Sequence, residues 1–380
     1  MNHHVQSAGS HNPRMKTSIN SFKCAARFFR ATGAISDFPR IGNFVVAAAL
    51  VFASFASSVN AQEPVEVATD PVGFVKVDVP AQSDILTSIP FTRSSIYKGK
   101  IQAINGSQIT VVENPNWSDN QFVFNATYSA FIVTGEKEGL FAKISSNTQN
   151  SIQLELEVGD SLSGINTVSE QDIQQADSID IVPHWTLATL LSGNIPDGTE
   201  AFLYENSVPG KNHSPSLPLV YYQGYGWYET IGYTVQSDRA LKFGAGMIIR
   251  NNTGSKLSTT MTGTVPMIKH RVILRTLTSN LAQDQTIGYF SPVPESLADV
   301  GLGAQNYDEL YLFDREATGK NKSPSLPLVY FDGRWYNSLN YSDVTDSVIL
   351  HPGDGMIYRK VATDAPTNFV WQSVQSYLSE

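Results

Sequence analysis

The chain has 380 residues, and its 26 Lys and Arg stand against 35 Asp and Glu, a formal net charge of −9. That acidity works against the electrostatic grip on a phosphate backbone, so nucleic acid is not an expected partner. The one cysteine, Cys24, rules out a disulfide framework.

The chain opens with a basic stretch: Lys16, Lys23, Arg27, Arg30 and Arg40, with Asp37 the sole acid before residue 62. An apolar run from Phe44 to Phe55 follows, then small residues ending in Val59-Asn60-Ala61. A basic region, a short apolar core and a small-x-Ala exit predict a secretory signal peptide over 1–61. The run falls short of the ~20 residues that span a bilayer, so no stable membrane span is expected after cleavage. The expected destination is export, to periplasm, cell surface or medium. Cleavage after Ala61 removes Cys24 along with six basic residues and one acid, which takes the net charge from −9 to −14. The mature chain must then hold together by core burial, for which its length suffices in two or three domains.

Beyond the leader the strand signal dominates. Val75, Val77 and Val79 alternate with Lys76 and Asp78, and Ile152, Leu154 and Leu156 alternate with Gln153, Glu155 and Glu157. A period of two describes a strand with one buried and one wet face. Asn105-Gly106 between two β-rich runs predicts a hairpin with a two-residue turn. Helical candidates are short: Trp185–Leu191, Ser296–Leu302 and Glu170–Gln175.

The block Gly-Lys-Asn-x-Ser-Pro-Ser-Leu-Pro-Leu-Val-Tyr begins at Gly210 and again at Gly319, and only His213 against Lys322 differs. The match spreads outward: Glu200–Glu205 answers Glu309–Asp314, Trp227-Tyr228 answers Trp335-Tyr336, and Gly246–Arg250 answers Gly355–Arg359. Upstream, Ala81-Gln82-Ser83-Asp84 echoes Ala282-Gln283-Asp284, but about 90 residues intervene before Leu187 in the first copy. The expected fold is all-β. Two homologous β-sandwich-like units span 70–95 plus 184–265 and 266–380, with a small β-barrel, 96–183, inserted in the first. Two copies are too few for a solenoid.

Catalytic chemistry is hard to find. His184, His213, His270 and His351 lack metal-ligand spacing, and no Gly-x-Ser-x-Gly elbow is present. No cofactor or metal is expected, although Asp343, Asp346 and Asp354 leave calcium in an irregular loop open. Pro215, Pro218, Pro324 and Pro327 predict extended segments at a sheet edge or in a loop.

The aromatics suggest more. Tyr221, Tyr222, Tyr225, Trp227, Tyr228 and Tyr233 crowd one hairpin, and Tyr330, Phe331, Trp335, Tyr336 and Tyr341 crowd its twin. Such rings either fill the core or present faces to sugars and proteins. Between the copies Asn212/Asn321, Lys211/Lys320 and Arg250/Arg359 persist, whereas the acids do not. The candidate ligand-binding residues are therefore Tyr225, Trp227, Arg334, Trp335, Lys211, Asn212, Lys320 and Asn321.

Four segments resemble a known family: Ala68-Thr69-Asp70-Pro71-Val72-Gly73-Phe74-Val75, Trp117–Phe122, Pro183–Leu187 and Thr262–Pro266. They are similar to a family of exported, uncharacterised β-proteins of Verrucomicrobia-type bacteria. The resemblance spans nearly the whole mature chain; it implies export and an all-β fold, and brings no catalytic or binding residues. The expected function is a non-enzymatic exported β-protein, a surface or envelope component that binds a glycan or protein or serves structurally. The alternative is a carbohydrate-binding module or glycan-active enzyme using exposed aromatic hairpins.

Overall fold

The computed structural model describes residues 70–378, apart from residue 125, residues 169–171 and residue 192. The expected leader, the Cys24 position and part of the Glu170–Gln175 helical candidate lie outside the described residues.

Strands β1 (Val72–Val79) and β2 (Ser83–Thr87) come first, followed by β3 (Tyr97–Asn105), β4 (Gln108–Val111), β5 (Tyr128–Ile132), β6 (Phe141–Asn147), β7 (Ser151–Glu155) and β8 (Ser178–Pro183). Strands β3 to β8 close into a barrel of order β3-β4-β7-β6-β5-β8. Its inward positions, among them Ile101, Ile109, Ile144, Ile152, Ile179 and Ile181, make a continuous core. Register shifts at Ile101/Ala103 and Ile144/Ser146 supply the extra twist that closing six strands requires. The expected hairpin is present, but its turn lies one residue later. Asn105 pairs with Gln108, and Gly106-Ser107 form the two-residue loop, with Gly106 at φ 61°. A glycine at the first central position suits a II′ turn, so Asn105 ends the strand instead of entering the loop.

The chain continues through β9 (Trp185–Thr186), the single-turn helix α1 (Leu187–Leu190), β10 (Glu200–Leu203), β11 (Leu217–Tyr222), β12 (Gly226–Glu229), β13 (Ala240–Leu241), β14 (Met247–Asn251) and β15 (Leu257–Thr264). Then come β16 (His270–Arg275), β17 (Gln283–Gly288), β18 (Glu295–Ser296), β19 (Glu309–Leu312), β20 (Leu326–Phe331), β21 (Arg334–Asn337), β22 (Ile349–Leu350), β23 (Gly355–Lys360) and β24 (Asn368–Ser373). The Trp185–Leu191 candidate shrinks to α1, which Thr186 caps by accepting from the Thr189 N–H. In the Ser296–Leu302 candidate, Ser296 ends β18 and a turn follows, with no helix.

Two five-stranded antiparallel sheets carry the molecule, one ordered β12-β11-β10-β14-β2 and the other β21-β20-β19-β23-β17. Strands β1 and β2, which precede the barrel, pair with β15 and β14, which follow it. Each five-stranded sheet is accompanied by two-stranded ribbons, β1-β15 and β9-β13 for one, β16-β24 and β18-β22 for the other. The result is all-β and sandwich-like. Matching residues fill matching cores: Ala201, Leu219, Trp227 and Met247 in one, Leu310, Leu328, Trp335 and Met356 in the other.

Pro215 and Pro324 lie in loops as expected, but the other two prolines depart from expectation. Pro218 and Pro327 lie in β11 and β20, which run between two neighbours and are not edges. The β11–β12 ladder starts only at Leu219, and the β20–β21 ladder at Leu328. The missing proline N–H therefore withholds no ladder bond, while the Pro218 and Pro327 carbonyls still accept from Thr230 and Ser338.

Candidate functional site

The repeated block explains itself in three dimensions: each copy crosses to the opposite sheet. The Asp284 N–H donates to the Gly210 carbonyl at 2.9 Å, and the Asn212 N–H donates to the Asp284 carboxylate at 2.7 Å. Arg359 grips the same carboxylate with Nε and Nη2 at 2.6 and 2.9 Å, and its Nη2 also donates to Asn212 Oδ1. On the other side the Asp84 N–H donates to the Gly319 carbonyl at 3.0 Å, and the Asn321 N–H to the Asp84 carboxylate at 2.7 Å. Arg250 holds Asp84 at 2.6 and 2.9 Å and reaches Asn321 Oδ1 at 2.8 Å.

Each loop turns through left-handed backbone, with Gly210 and Gly319 at φ 108° and 113° and Asn212 and Asn321 at φ 56° and 53°. Glycine and asparagine are the residues that tolerate this region, which accounts for the Gly-x-Asn spacing. The hydrogen bonds that Arg250 donates to Asp84 raise its pKa, and those that Arg359 donates to Asp284 raise its own, so both stay charged. Near the junction the sheet edges meet in matched bridges, Thr87 with Asp354 and Ile287 with Ala245. A Cβ on Gly246 or Gly355 would come within 2.8 Å of the facing backbone, so these glycines permit the approach.

The one difference between the blocks is compensated. Gln283 accepts from the Gly210 N–H with Oε1, donates to the Val208 carbonyl at 2.7 Å, and lies 3.3 Å from His213 Nε2. At the matching place stands Ser83, whose hydroxyl accepts from the Gly319 N–H but is too short to reach further. Lys322 does the rest, donating to the Ala317 and Asp314 carbonyls at 2.7 and 2.8 Å. A long side chain on the sheet faces a histidine in the loop, and a short one faces a lysine.

These contacts settle where the expected ligand-binding residues lie. Asn212 and Asn321 belong to the clamp. Lys320 donates to Asn252 Oδ1 at 2.5 Å, and Lys211 is exposed. Trp227 and Trp335 are 1% exposed, packed inside the two cores against Tyr221 and Tyr330. They offer no face to a ligand, because their strand positions point inward. Arg334 is pinned by Asp343 and Asp346, which directs that part of the aspartate cluster to an arginine, and Asp354 pairs with Arg315. Tyr225, by contrast, is 76% exposed at its turn. The expectation that acids do not persist between the copies is overturned: Asp84/Asp284 and Glu200/Glu309 occupy equivalent places on equivalent arginines.

Beyond the hairpins the structure exposes a feature the candidate set did not contain. Ile231 and Tyr233 are 76% and 68% exposed, and their equivalents Leu339 and Tyr341 are 74% and 77% exposed. Both tyrosines sit in left-handed backbone, at φ 53° and 59°. Bulky residues rarely occupy this region, at a cost of order 1–3 kcal/mol. Tyr307, at φ 74°, stands where the other copy has Gly198 at φ 75°, and its ring lies 5.6 Å from Phe331.

The barrel joins both sheets through a cluster of Phe131, Val182, Phe243 and Phe290. Two histidines border it. Burial lowers the His184 pKa to about 4 and the His270 pKa to about 3, so both are neutral at pH 7. Among the described residues no three His, Cys, Asp or Glu are grouped to hold a metal ion, and no helix is long and apolar enough to cross a membrane. No protein-family model, curated protein or solved structure matches the chain.

Proposed function

We propose that the chain is an exported, non-enzymatic surface or envelope component that binds a repeating polymer through two equivalent hairpin tips. On this reading residues 1–61 are a cleaved signal peptide. The rest comprises two copies of one unit, 70–95 plus 184–265 and 266–380, with the barrel inserted in the first. The carrying observation is the recurrence of an exposed aliphatic–tyrosine pair, Ile231/Tyr233 and Leu339/Tyr341, at the same place in both copies. Core packing gives no reason to hold these side chains in water or their tyrosines at positive φ. The clamp supports the same reading, because the reciprocal hydrogen bonds of the two loops to Asp284 and Asp84 tie the sheets that carry the tips to one another. Two tips in a fixed arrangement raise the avidity for a ligand with repeated subsites. The resemblance to exported β-proteins agrees with this destination.

A carbohydrate polymer is favoured by further exposed rings at the opposite ends of β12 and β21, Tyr222 and Tyr225 in one copy and Tyr307 and Phe331 in the other. Aromatic faces stack on sugar rings while tyrosine hydroxyls bond their edges. Retention of the mature chain on insoluble polysaccharides tests this. Each single variant, Tyr233→Ala or Tyr341→Ala, should weaken retention, and the double variant should lose it with an unchanged melting temperature. Equal retention of parent and double variant would contradict the reading, as would recovery of the protein in the cytosolic fraction of its host.

A further inference from the structure

Between the two clamp loops lies a cleft of about 400 Å³ to which both copies of the repeated block contribute, His213 from one and Lys322 and Ser323 from the other. That volume is within the range of small-molecule sites. Tyr204 and Phe313, equivalent residues just past β10 and β19, supply its aromatic lining. Arg359 also borders it, but its guanidinium is occupied by Asp284, Glu309 and the Tyr311 hydroxyl.

Lys322 is in a different position. Its ammonium donates to two backbone carbonyls and has no carboxylate within ion-pair distance among the described residues. The charges of Asp314, Asp84 and Glu316 act on it only from further off, and burial lowers its pKa. A half-buried cation without a direct counter-ion, in an otherwise acidic chain, is a place where an anion gains. Several polar groups around it are also open: the Tyr204 and Ser323 hydroxyls and His213 Nδ1 have no hydrogen-bond partner among the described residues.

From this geometry we infer that the cleft binds a carboxylated sugar residue, its carboxylate on Lys322 and its ring face against Phe313 and Tyr204. Ser323, Tyr204 and the Asn212 amide take the ring hydroxyls. The site exists only because the loops exchange, and the one position at which the repeated blocks differ places a histidine and a lysine at its rim. The inference deepens the carbohydrate reading of the hairpin tips: the tips hold a polymer along its length, and the cleft selects acidic residues within it.

Titration calorimetry of the mature chain with trigalacturonate, and with cellotriose as the neutral control, tests the assignment. Trigalacturonate should bind and cellotriose should bind at least tenfold more weakly. Lys322→Gln should reduce trigalacturonate affinity tenfold or more. Ser323→Trp, which fills the cleft from an exposed position, should abolish it without lowering the melting temperature. Equal affinity for the two sugars overturns the acidic-ligand assignment, and binding that survives Ser323→Trp overturns the site. If trigalacturonate fails to bind while the tips still retain polysaccharide, the cleft proposal falls and the tip reading stands. Loss of tip retention with Ser323→Trp-sensitive trigalacturonate binding gives the reverse.

Discussion

The two halves of the clamp perform one task with partly different side chains. In both, an aspartate on the sheet edge meets an arginine from the neighbouring strand and the backbone of a Gly-Lys-Asn loop from the other sheet. Around that constant centre Gln283 faces His213 in one half, and Ser83 faces Lys322 in the other. A residue that holds a buried carboxylate cannot vary without leaving a charge unpaired. A residue that reaches a backbone carbonyl can vary, provided its opposite number changes with it.

A second contrast lies deeper. Where β14 ends in Asn251, whose amide donates to the Val79, Pro80 and Ser255 carbonyls, its counterpart β23 ends in Lys360, buried against an equally buried Asp308. Gln305 and the Tyr358 hydroxyl complete that network. Asp308→Ala strands a buried ammonium and should destabilise by about 3–5 kcal/mol in denaturant unfolding. Asn251→Ala removes only neutral hydrogen bonds and should cost about 1–3 kcal/mol. Equal losses would erase the contrast.

Asp84→Ala and Asp284→Ala each break one half of the clamp and should cost about 2–4 kcal/mol, agreeing with each other within about 0.5 kcal/mol. A large disparity would show that the halves are not equivalent in energy.

Acidification probes the joint between barrel and sheets. His184 and His270 have folded pKa values of about 4 and about 3, below the ordinary 6.5. Each contributes stability that is complete above pH 6.5 and is lost as pH falls toward its folded value. At pH 5 the loss is about 2 kcal/mol per histidine. Unfolding free energies at pH 7 and 5 check this, and His270→Phe should remove one share of the difference.

The smallest effect is the most specific. His213→Lys puts two long side chains opposite each other and should cost about 1 kcal/mol, most of it recovered in the His213→Lys/Gln283→Ser double variant. Additive losses would mean that the two positions do not compensate.

Much of this architecture was legible. Alternation at Val75–Val79 and Ile152–Leu156 marked strands, and the Asn105-Gly106 signal marked a hairpin even though the turn formed one residue later. The buried places of Trp227 and Trp335 were half legible, since adjacent aromatics on a strand must point to opposite faces. What alignment could not reveal is the destination of the repeated block. A loop that docks on its own sheet and one that docks on its neighbour have the same sequence. The matched pair Asp84 and Asp284 was the available signal, and it lay within a four-residue echo beside the long intervening barrel. The exposed Ile231/Tyr233 and Leu339/Tyr341 were visible as residues, but their exposure depends on left-handed turns that no periodicity announces.

Hydrogen exchange in Asp284→Ala tests the exchanged loops most directly. The account predicts lost protection at the Gly210 and Asn212 amides, more than seventy residues away in sequence, with Gly319 and Asn321 still protected. Loss confined to the neighbours of residue 284, or spread equally over both loops, would contradict it.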